Sequence, residues 1–264
     1  KTTKSSNKLI EEFMLLANKK VAEKMRKSKE RFVYRVHDQP DQEKLKNLQT
    51  IVKRLGYNLK LSSNELNDSL NSLLKNAFGK NEQNLIDTLM IRSMSKAEYT
   101  TKNIGHYGLS FENYTHFTSP IRRYPDVMVH RLIQAEIEGE KIKTEETESL
   151  CKHSTHMEIL ATKAERDSVK LMQIKFMKDK EGKTFDAVIS GVVARGVFVE
   201  VVENKCEGLV KAKDLPGDFF VHDEKNHRFV GEKTGKKFQL GDKTRVMLIK
   251  ADQIKKRLDF QVLT

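Results

Sequence analysis

The sequence of 264 residues contains no tryptophan, only two cysteines and only four prolines. Cys151 and Cys206 lie far apart and in no metal-ligand spacing, which excludes a disulfide framework and indicates free thiols in a reducing compartment. No apolar run approaches the roughly 20 residues of a membrane-spanning helix, and the polar start KTTK has no signal-peptide core. We therefore expect a cytoplasmic protein with no membrane partner. Because the chain does not start with methionine, we also expect a piece of a longer protein.

Positive charge is in excess along the chain. The formal net charge is +12 at pH 7 and the isoelectric point is near 9.5, while 33% of the residues are charged and 38% are hydrophobic. This balance is typical of a globular protein whose partner is acidic, most often a nucleic acid. A chain of this length is expected to form one large domain or two of ordinary size.

Apolar residues before Gly182 recur three and four positions apart, which is the spacing of amphipathic helices. The pattern predicts helices over 7–28, 40–55, 63–79, from 82 onward and over 144–180. In the first of these helices the residues at this spacing are Leu9, Phe13, Leu16, Ala17, Val21 and Met25.

After Gly182 the hydrophobic period changes from 3.6 to two residues, which is the spacing of strands. The predicted strands cover 184–189, 192–202, 206–211, 243–250 and 257–263. Five short strands in about eighty residues indicate a small Greek-key barrel. We therefore expect an α+β protein, with a mostly helical domain over 1–182 and a five-stranded OB-fold β-barrel over 183–264.

The segment from His106 to Arg131 reads HYGLSFENYTHFTSPIRRYPDVMVHR and holds the most unusual chemistry of the chain. Ser119 followed by Pro120 predicts a helix start, since serine caps free amides and proline is tolerated at the first helical position. We expect this helix to run to about residue 138, with a core-facing side made of Met128, Leu132, Ala135 and Ile137.

Arg122 and Arg123 fall in the first turn of this predicted helix, where the free amides and the helix dipole favour negative charge. Two cations there reduce stability unless an anion such as a phosphate joins them. The flanking side chains supply stacking faces and short donors of the kind that bind a nucleic-acid backbone, namely Tyr107, Tyr114, His116, Thr118 and Ser119. The alternative, that both arginines pair with carboxylates of their own domain, stays open.

In the predicted strand GVFVEV the valines share one face and Phe198 lies on the other. We expect the valine face to be core and Phe198 to be partly exposed. With Arg195 and Lys211 nearby in the pattern, Phe198 would stack a base while the cations hold its backbone. The alternative is that a neighbouring loop covers Phe198.

Two further patterns are rejected. GEKTGK at 231–236 has three residues between its glycines and is followed by Lys237, whereas a phosphate loop needs four residues and then a serine or threonine. His116, Ser119 and Asp126 include the side-chain types of a catalytic triad, but nothing in their spacing positions them as one.

The string YTHFTSPIRRYPD at 114–126, closed by VHR at 129–131, closely resembles the signature of the ribonuclease II and ribonuclease R family. EEFMLLAN at 11–18, YRVH at 34–37 and AERD at 164–167 look like further blocks of that family. Residues from Lys183 onward look like the OB-fold RNA-binding domain that follows its catalytic domain. VGEKTGK at 230–236, with LGD at 240–242, favours the ribonuclease R branch.

This resemblance implies processive hydrolysis of single-stranded RNA from its 3′ end to nucleoside 5′-monophosphates, with magnesium at a buried site. Arg122 matches the arginine that the family places on the scissile phosphate. Glu165 matches a carboxylate near the same site. Glu11 and Glu12 match an acidic pair whose role stays open.

One departure from the family is that its metal-binding aspartate cluster is missing, since this sequence contains no Asp-Asp and no Asp-x-Asp. The resemblance therefore implies that 1–182 is the C-terminal portion of a ribonuclease II-type catalytic domain. The Mg²⁺ ligands would lie outside this sequence, on a missing N-terminal half that is a partner. In the barrel, Arg195 and Lys211 stand where related domains often carry an aromatic residue and a histidine. The alternative function is a non-catalytic RNA-binding module.

Overall fold

A computed structural model describes residues 4–28, 31–62, 65–80, 82–140 and 146–263. Within these residues the helices are α1 Ser5–Lys27, α2 Gln42–Arg54, α3 Leu66–Ala77, α4 Gln83–Ser93, α5 Tyr124–Glu138 and α6 Thr147–Met177. The strands there are β1 Tyr34–His37, β2 Ala97–Thr100, β3 Thr184–Val193, β4 Gly196–Val201, β5 Glu207–Lys211, β6 Phe220–Asp223, β7 Arg228–Gly231, β8 Lys237–Gln239, β9 Lys243–Asp252 and β10 Arg257–Val262. None of these helices is long and apolar enough to cross a membrane.

The predicted α+β class is confirmed, with helices dominating before Gly182 and strands after it. Ser63 and Thr144, at which two of the predicted helices begin, lie outside the described residues. The chain divides into two compact units, Lys1–Asp41 with Met94–Lys163 and Gln42–Ser93 with Ala164–Thr264.

The first unit has a core built from the C-terminal half of α1, the β1–β2 pair, α5 and the start of α6. The two strands are antiparallel, with Tyr34 opposite Thr100 and His37 opposite Ala97. The buried apolar side chains of this core are Ala22, Met25, Phe32, Val33, Tyr34, Val36, Tyr99, Met128, Val129, Leu132 and Cys151. Because β2 and α5 both belong to this core, the segment that connects them is anchored at its two ends.

The apolar face of α1 is only partly covered. Met25 is buried and Val21 is half-buried, but Leu9 and Phe13 are 57% and 60% exposed, and Leu16 is also exposed. Within the described residues this face is therefore covered only toward the C-terminal end of the helix. Helical periodicity reports which side of a helix is apolar, but it does not report what covers that side.

The prediction that α5 begins at Pro120 is also wrong, because residues 120–122 form a turn and Arg123 is the N-cap. A helix starting at Pro120 would place Pro125 in its interior, where the ring of proline clashes with the carbonyl four residues earlier. Starting at Tyr124 instead puts Pro125 in the first turn, where no amide is lost. Ile137 is 67% exposed rather than buried, because it lies two residues after buried Ala135 and so on another side of the helix.

The second unit contains α2, α3 and α4 and a closed five-stranded barrel with the order β10-β5-β4-β3-β9. Neighbouring strands are antiparallel except β10 and β5, which are parallel. Alternate strand residues fill the barrel, and Ile174 and Met177 at the end of α6 join this core. At the closure, a Cβ on Gly208 would lie 2.5 Å from the Leu258 carbonyl oxygen, so only glycine lets β5 approach β10 this closely.

A three-stranded antiparallel sheet in the order β6-β7-β8 follows the barrel strand β5, and the sequence patterns did not predict it. Its strands are four, four and three residues long, which is too short for alternation to be recognised. Phe220 and Phe229 join the barrel core, and Phe238 packs edge-on against Phe220 with ring centroids 5.1 Å apart.

Cys151 and Cys206 are both buried free thiols, as predicted. Burial raises the pKa of the Cys151 thiol to about 12. Neither cysteine is therefore placed to act as a reactive thiolate.

Candidate nucleic-acid interface

The segment YTHFTSPIRR at 114–123 is fixed against β1 and α1. The amide of Arg35 donates to the Tyr114 carbonyl (3.0 Å), and the Thr115 hydroxyl donates to the Val33 carbonyl (2.7 Å). The Phe117 amide donates to the side-chain oxygen of Asn18 (3.0 Å). These contacts set the path of the backbone up to the turn that carries the two arginines.

Aromatic rings of this segment pack against each other and against Tyr99 of β2. His116 Nδ1 lies 2.7 Å from the Tyr99 hydroxyl, and its ring centroid is 5.7 Å from that of Tyr114. Tyr114 is only 5% exposed and accepts a hydrogen bond from Asn18 through its hydroxyl. Its ring thus offers no free face to a base, which corrects the prediction that Tyr114 stacks directly on a nucleic acid.

Burial is the main cause of lowered pKa values in this cluster. It lowers the pKa of His116 to about 3, with the charges of Arg123 and Arg35 as smaller causes. Burial lowers the pKa of His106 to about 4, and the nearby His37 adds to the effect. Both imidazoles are therefore neutral at pH 7, so His116 is available as a hydrogen-bonding group and not as a phosphate-binding cation.

Asp126 organises the turn that precedes α5. Its carboxylate is completely buried, and Oδ1 accepts hydrogen bonds from the Ser119 amide (2.7 Å) and from Nη2 of Arg123 (2.9 Å). Arg123 therefore follows the alternative interpretation and pairs with a carboxylate of its own unit. Ser119 does not cap α5 with its side chain; instead its amide binds the helix residue Asp126 and its carbonyl accepts from the amides of Arg122 and Arg123.

Arg122 differs from its neighbour. Its side chain is exposed and forms no ion pair with any residue that the structure describes. Next to it, the buried atoms Thr118 Oγ1, Arg123 Nε and Asp126 Oδ2 have no hydrogen-bond partner in the described part of the chain. The turn thus combines an exposed guanidinium with two donors that an anion could accept from, Thr118 Oγ1 and Arg123 Nε, whereas Asp126 Oδ2 is an acceptor and would not bind an anion.

Glu165, Glu11 and Glu12 are exposed side chains on helices. Glu165 lies in the part of α6 that belongs to the second unit, and Glu11 and Glu12 lie in the N-terminal half of α1 in the first unit. Within the described residues, no three His, Cys, Asp or Glu side chains converge closely enough to hold a metal ion.

The structure brings together the three side chains predicted to bind RNA on the barrel. The valine face of β4 is buried and Phe198 is half-buried on the other side, as predicted. The Arg195 guanidinium lies 5.6 Å from the centroid of the Phe198 ring, and Lys211 on β5 is opposite Gly196. Gly191 on β3 lies beneath the ring, where a Cβ would be 3.4 Å from it.

A groove beside Lys211 adds residues that sequence reasoning missed. Its volume is about 370 Å³, and its lining includes Lys250 from β9 and Asp259 and Gln261 from β10. No sequence signal joins these positions to Lys211, because only the parallel β5–β10 pairing brings the strands together.

Comparisons with known proteins identify the families that the chain resembles. Residues 1–139 match the RNB domain family, and residues 178–263 match the S1 RNA binding domain family. The chain is 40% identical to ribonuclease R of Aquifex aeolicus over 262 residues, covering 98% of this chain and 37% of that protein. It is 32% identical to ribonuclease R of Escherichia coli over 272 residues, which cover 34% of that protein.

Among solved structures, the chain resembles Mycoplasma genitalium RNase R in complex with ribose methylated single-stranded RNA, with a TM-score of 0.92 and 28% identity. That similarity covers 100% of this chain and 42% of the other. The chain thus spans between about a third and two fifths of the length of these relatives.

The buried pair predicts a stability effect of Asp126→Asn. Losing the charge leaves the guanidinium of Arg123 without its counter-ion, so we expect the free energy of unfolding of the first unit to fall by about 3 kcal/mol. Urea denaturation measures the change. The matched control is Glu136→Gln, which neutralises an exposed carboxylate on the same helix and should have little effect. Equal stability of the two variants would contradict the structural role of Asp126.

Proposed function

The chain belongs to the RNB domain family, and from that premise we propose that it acts as part of a 3′-to-5′ exoribonuclease of the ribonuclease R type. The substrate is single-stranded RNA, which the complete enzyme hydrolyses processively to nucleoside 5′-monophosphates. The observation that carries the proposal is the exposed Arg122, which has no ion-pair partner among the described residues and lies on a turn that a buried carboxylate fixes. The two buried free thiols support a cytoplasmic location for this enzyme.

Arg122 is proposed to bind the scissile phosphate. A guanidinium presents a planar fork of donors that can hold two phosphate oxygens at once. Negative charge on those oxygens increases as the phosphodiester bond breaks, so a fixed donor stabilises the transition state more than the ground state. Arg123 is proposed to act on RNA through the turn it holds, since its Nη2 already binds Asp126. Thr118, Ser119 and His116 line the same segment.

The complete enzyme is proposed to use Mg²⁺, but the described residues of this chain do not fit such a site, because no three metal-binding side chains converge among them. We therefore place the metal ligands on the N-terminal half of the catalytic domain, outside this sequence. Glu165 is proposed as a further carboxylate of the active site from its family resemblance alone.

The exposed apolar face of α1 supports such a partner. Leu9, Ile10, Phe13 and Leu16 are all about half exposed or more, and an amphipathic helix gains stability only when its apolar side is covered. We propose that the N-terminal half of the catalytic domain covers this face. That assembly would bring the metal ligands into the same domain as Arg122.

A non-catalytic RNA-binding module is the second candidate function. It is favoured by the lack of a metal-binding cluster in the described residues together with the cations around Phe198. The two functions share RNA binding and differ only in whether the chain takes part in hydrolysis.

The first of three predictions that follow from the proposed function separates the two candidate functions. The purified 264-residue chain should retain labelled single-stranded RNA without releasing mononucleotides in Mg²⁺, since no carboxylate cluster that could hold the metal is found among its described residues. Its affinity should fall steeply with salt because bound counterions are released. Adding the separately expressed N-terminal half of the domain should restore cleavage. Cleavage by the chain alone would overturn the division of the site, and a bound but inactive complex would favour the non-catalytic module.

The second prediction concerns the barrel. Phe198→Ala in the whole chain should weaken binding of single-stranded RNA by about 1–3 kcal/mol, the usual contribution of one base stacked on one aromatic ring. The matched control is Phe219→Ala, which removes another exposed aromatic ring. Titrations at fixed salt measure both affinities. If Phe198→Ala binds as tightly as Phe219→Ala, Phe198 does not stack a base.

The third prediction assigns the two arginines. In the assembled enzyme, Arg122→Lys should lower the rate of cleavage about a hundredfold to a thousandfold while RNA affinity changes little, because lysine keeps the charge but loses the fork. Arg123→Lys should mainly lower stability, since it disturbs the pair with Asp126. Single-turnover cleavage, equilibrium binding and urea denaturation distinguish the two effects. A larger rate defect for Arg123→Lys would mean that the catalytic arginine is Arg123.

A further inference from the structure

A groove on the second unit, formed where β8 meets the start of β9 and the end of β10, is strongly basic. Its volume is about 630 Å³, and it is lined by Lys236, Lys237, Lys243 and Arg245 with Asp242 as its one carboxylate. It shares no residue with the groove beside Lys211 or with the Phe198 face. We call it the β8–β9 groove.

The cations of this groove are largely unneutralised. Lys236, Lys237 and Lys243 are exposed and form no ion pair with any residue in the described ranges. Arg245 lies 3.5 Å from an Asp186 oxygen, but both side chains are mostly exposed, so water screens this pair. Asp242 accepts a hydrogen bond from the Gln239 amide, and its burial raises the pKa of its carboxyl. The groove is therefore electrostatically attractive to an anion.

The loop that carries Lys236, and that leads into Lys237 at the start of β8, is held in a fixed shape. Asp218 accepts hydrogen bonds from the amides of Lys233 and Thr234 and from the Thr234 hydroxyl, at 2.9, 2.6 and 2.7 Å. These bonds lower the pKa of Asp218 to about 2, so the carboxylate is charged at neutral pH. Because the loop is ordered before any ligand arrives, little conformational entropy is lost on binding.

The start of β9 is held in place as well. Lys243 is paired opposite Val188 on β3. In the turn before it, the Gly241 amide donates to the Ile189 carbonyl of β3, and the Ile189 amide donates to the Asp242 carbonyl. The lysines therefore project from two anchored backbones. Such an arrangement suits a ligand with several negative charges at a regular spacing.

The groove offers charge but no stacking surface. Phe238, its aromatic residue, is buried, and Lys236 lies over it with Nζ 5.2 Å from the ring centroid. A ligand recognised by base stacking would need an exposed ring. We propose that the β8–β9 groove is a second RNA contact, which binds the phosphodiester backbone without reading its bases. This inference rests on the proposed function in that RNA is the ligand.

The test compares two triple variants of the 264-residue chain. Lys236→Gln, Lys237→Gln and Lys243→Gln remove the charges of the groove, and Lys24→Gln, Lys75→Gln and Lys178→Gln remove three exposed lysines elsewhere that also form no ion pair among the described residues. Equilibrium binding is measured over a range of salt. One probe is a single strand of about 20 nucleotides and the other is a hairpin with a stem of about 12 base pairs, each in two base compositions.

If the groove binds phosphates, the groove variant should bind at least about tenfold more weakly than the parent at low salt. Its log–log salt slope should shrink by about two, since each lost phosphate contact removes roughly 0.7–0.9 from the slope. The control variant should change affinity by less than about threefold. The two probes distinguish single-stranded from double-stranded backbone, and base composition should not matter.

The outcomes separate this inference from the proposed function. If the parent binds no RNA, the proposed function fails. If the parent binds and the groove variant follows the control on both probes, the groove alone is overturned, and a strong dependence on base composition would overturn backbone recognition. Asp218→Ala is an independent check. If the fixed loop positions the lysines, this variant should bind RNA about threefold more weakly than the parent, even though it has lost a negative charge. Tighter binding, which is the effect expected of the charge alone, would contradict the role of the fixed loop.

Discussion

The buried carboxylate of Asp126 is the constraint on which the first unit depends. A charge with no exposure to water needs a counter-ion and hydrogen bonds, and Asp126 obtains them from Arg123 and the Ser119 amide. Satisfying that charge bends the chain into a turn before α5. It also separates two adjacent arginines, since Arg123 is used inside the unit whereas Arg122 forms no ion pair with any described residue.

In the second unit a carboxylate also fixes a turn, but its charge is less buried than that of Asp126. Asp218 is near the surface, yet its three hydrogen bonds fix the loop between β7 and β8 and thereby the lysines beside it. In both units a carboxylate shapes a backbone turn, and cations next to that turn form no ion pair with a described residue. Under the two proposals, anion binding would therefore depend on acidic residues that do not contact the anion.

Much of this organisation could be predicted from the sequence, because local spacing decides it. The change from helices to strands after Gly182, the barrel strands and the buried valine face of β4 follow from hydrophobic periods of 3.6 and two residues. The likeness of residues 114–126 to a known signature pointed to Arg122. What could not be predicted depends on distant or competing contacts: Pro125 moved the start of α5, and the closure of the barrel alone created the groove beside Lys211.

The uncovered face of α1 and the missing metal cluster have a common explanation. Leu9 and Phe13 follow the helical period as faithfully as buried Met25 does, so the sequence is built to bury them against something. The turn before α5 is held by contacts within its own unit, whereas no carboxylate cluster that could hold a metal converges in the described residues. The proposed function therefore assigns phosphate binding and the activation of water to different parts of the catalytic domain. Under that proposal the apolar face of α1 would join those parts, so activity would depend on a surface that is not proposed to contact RNA.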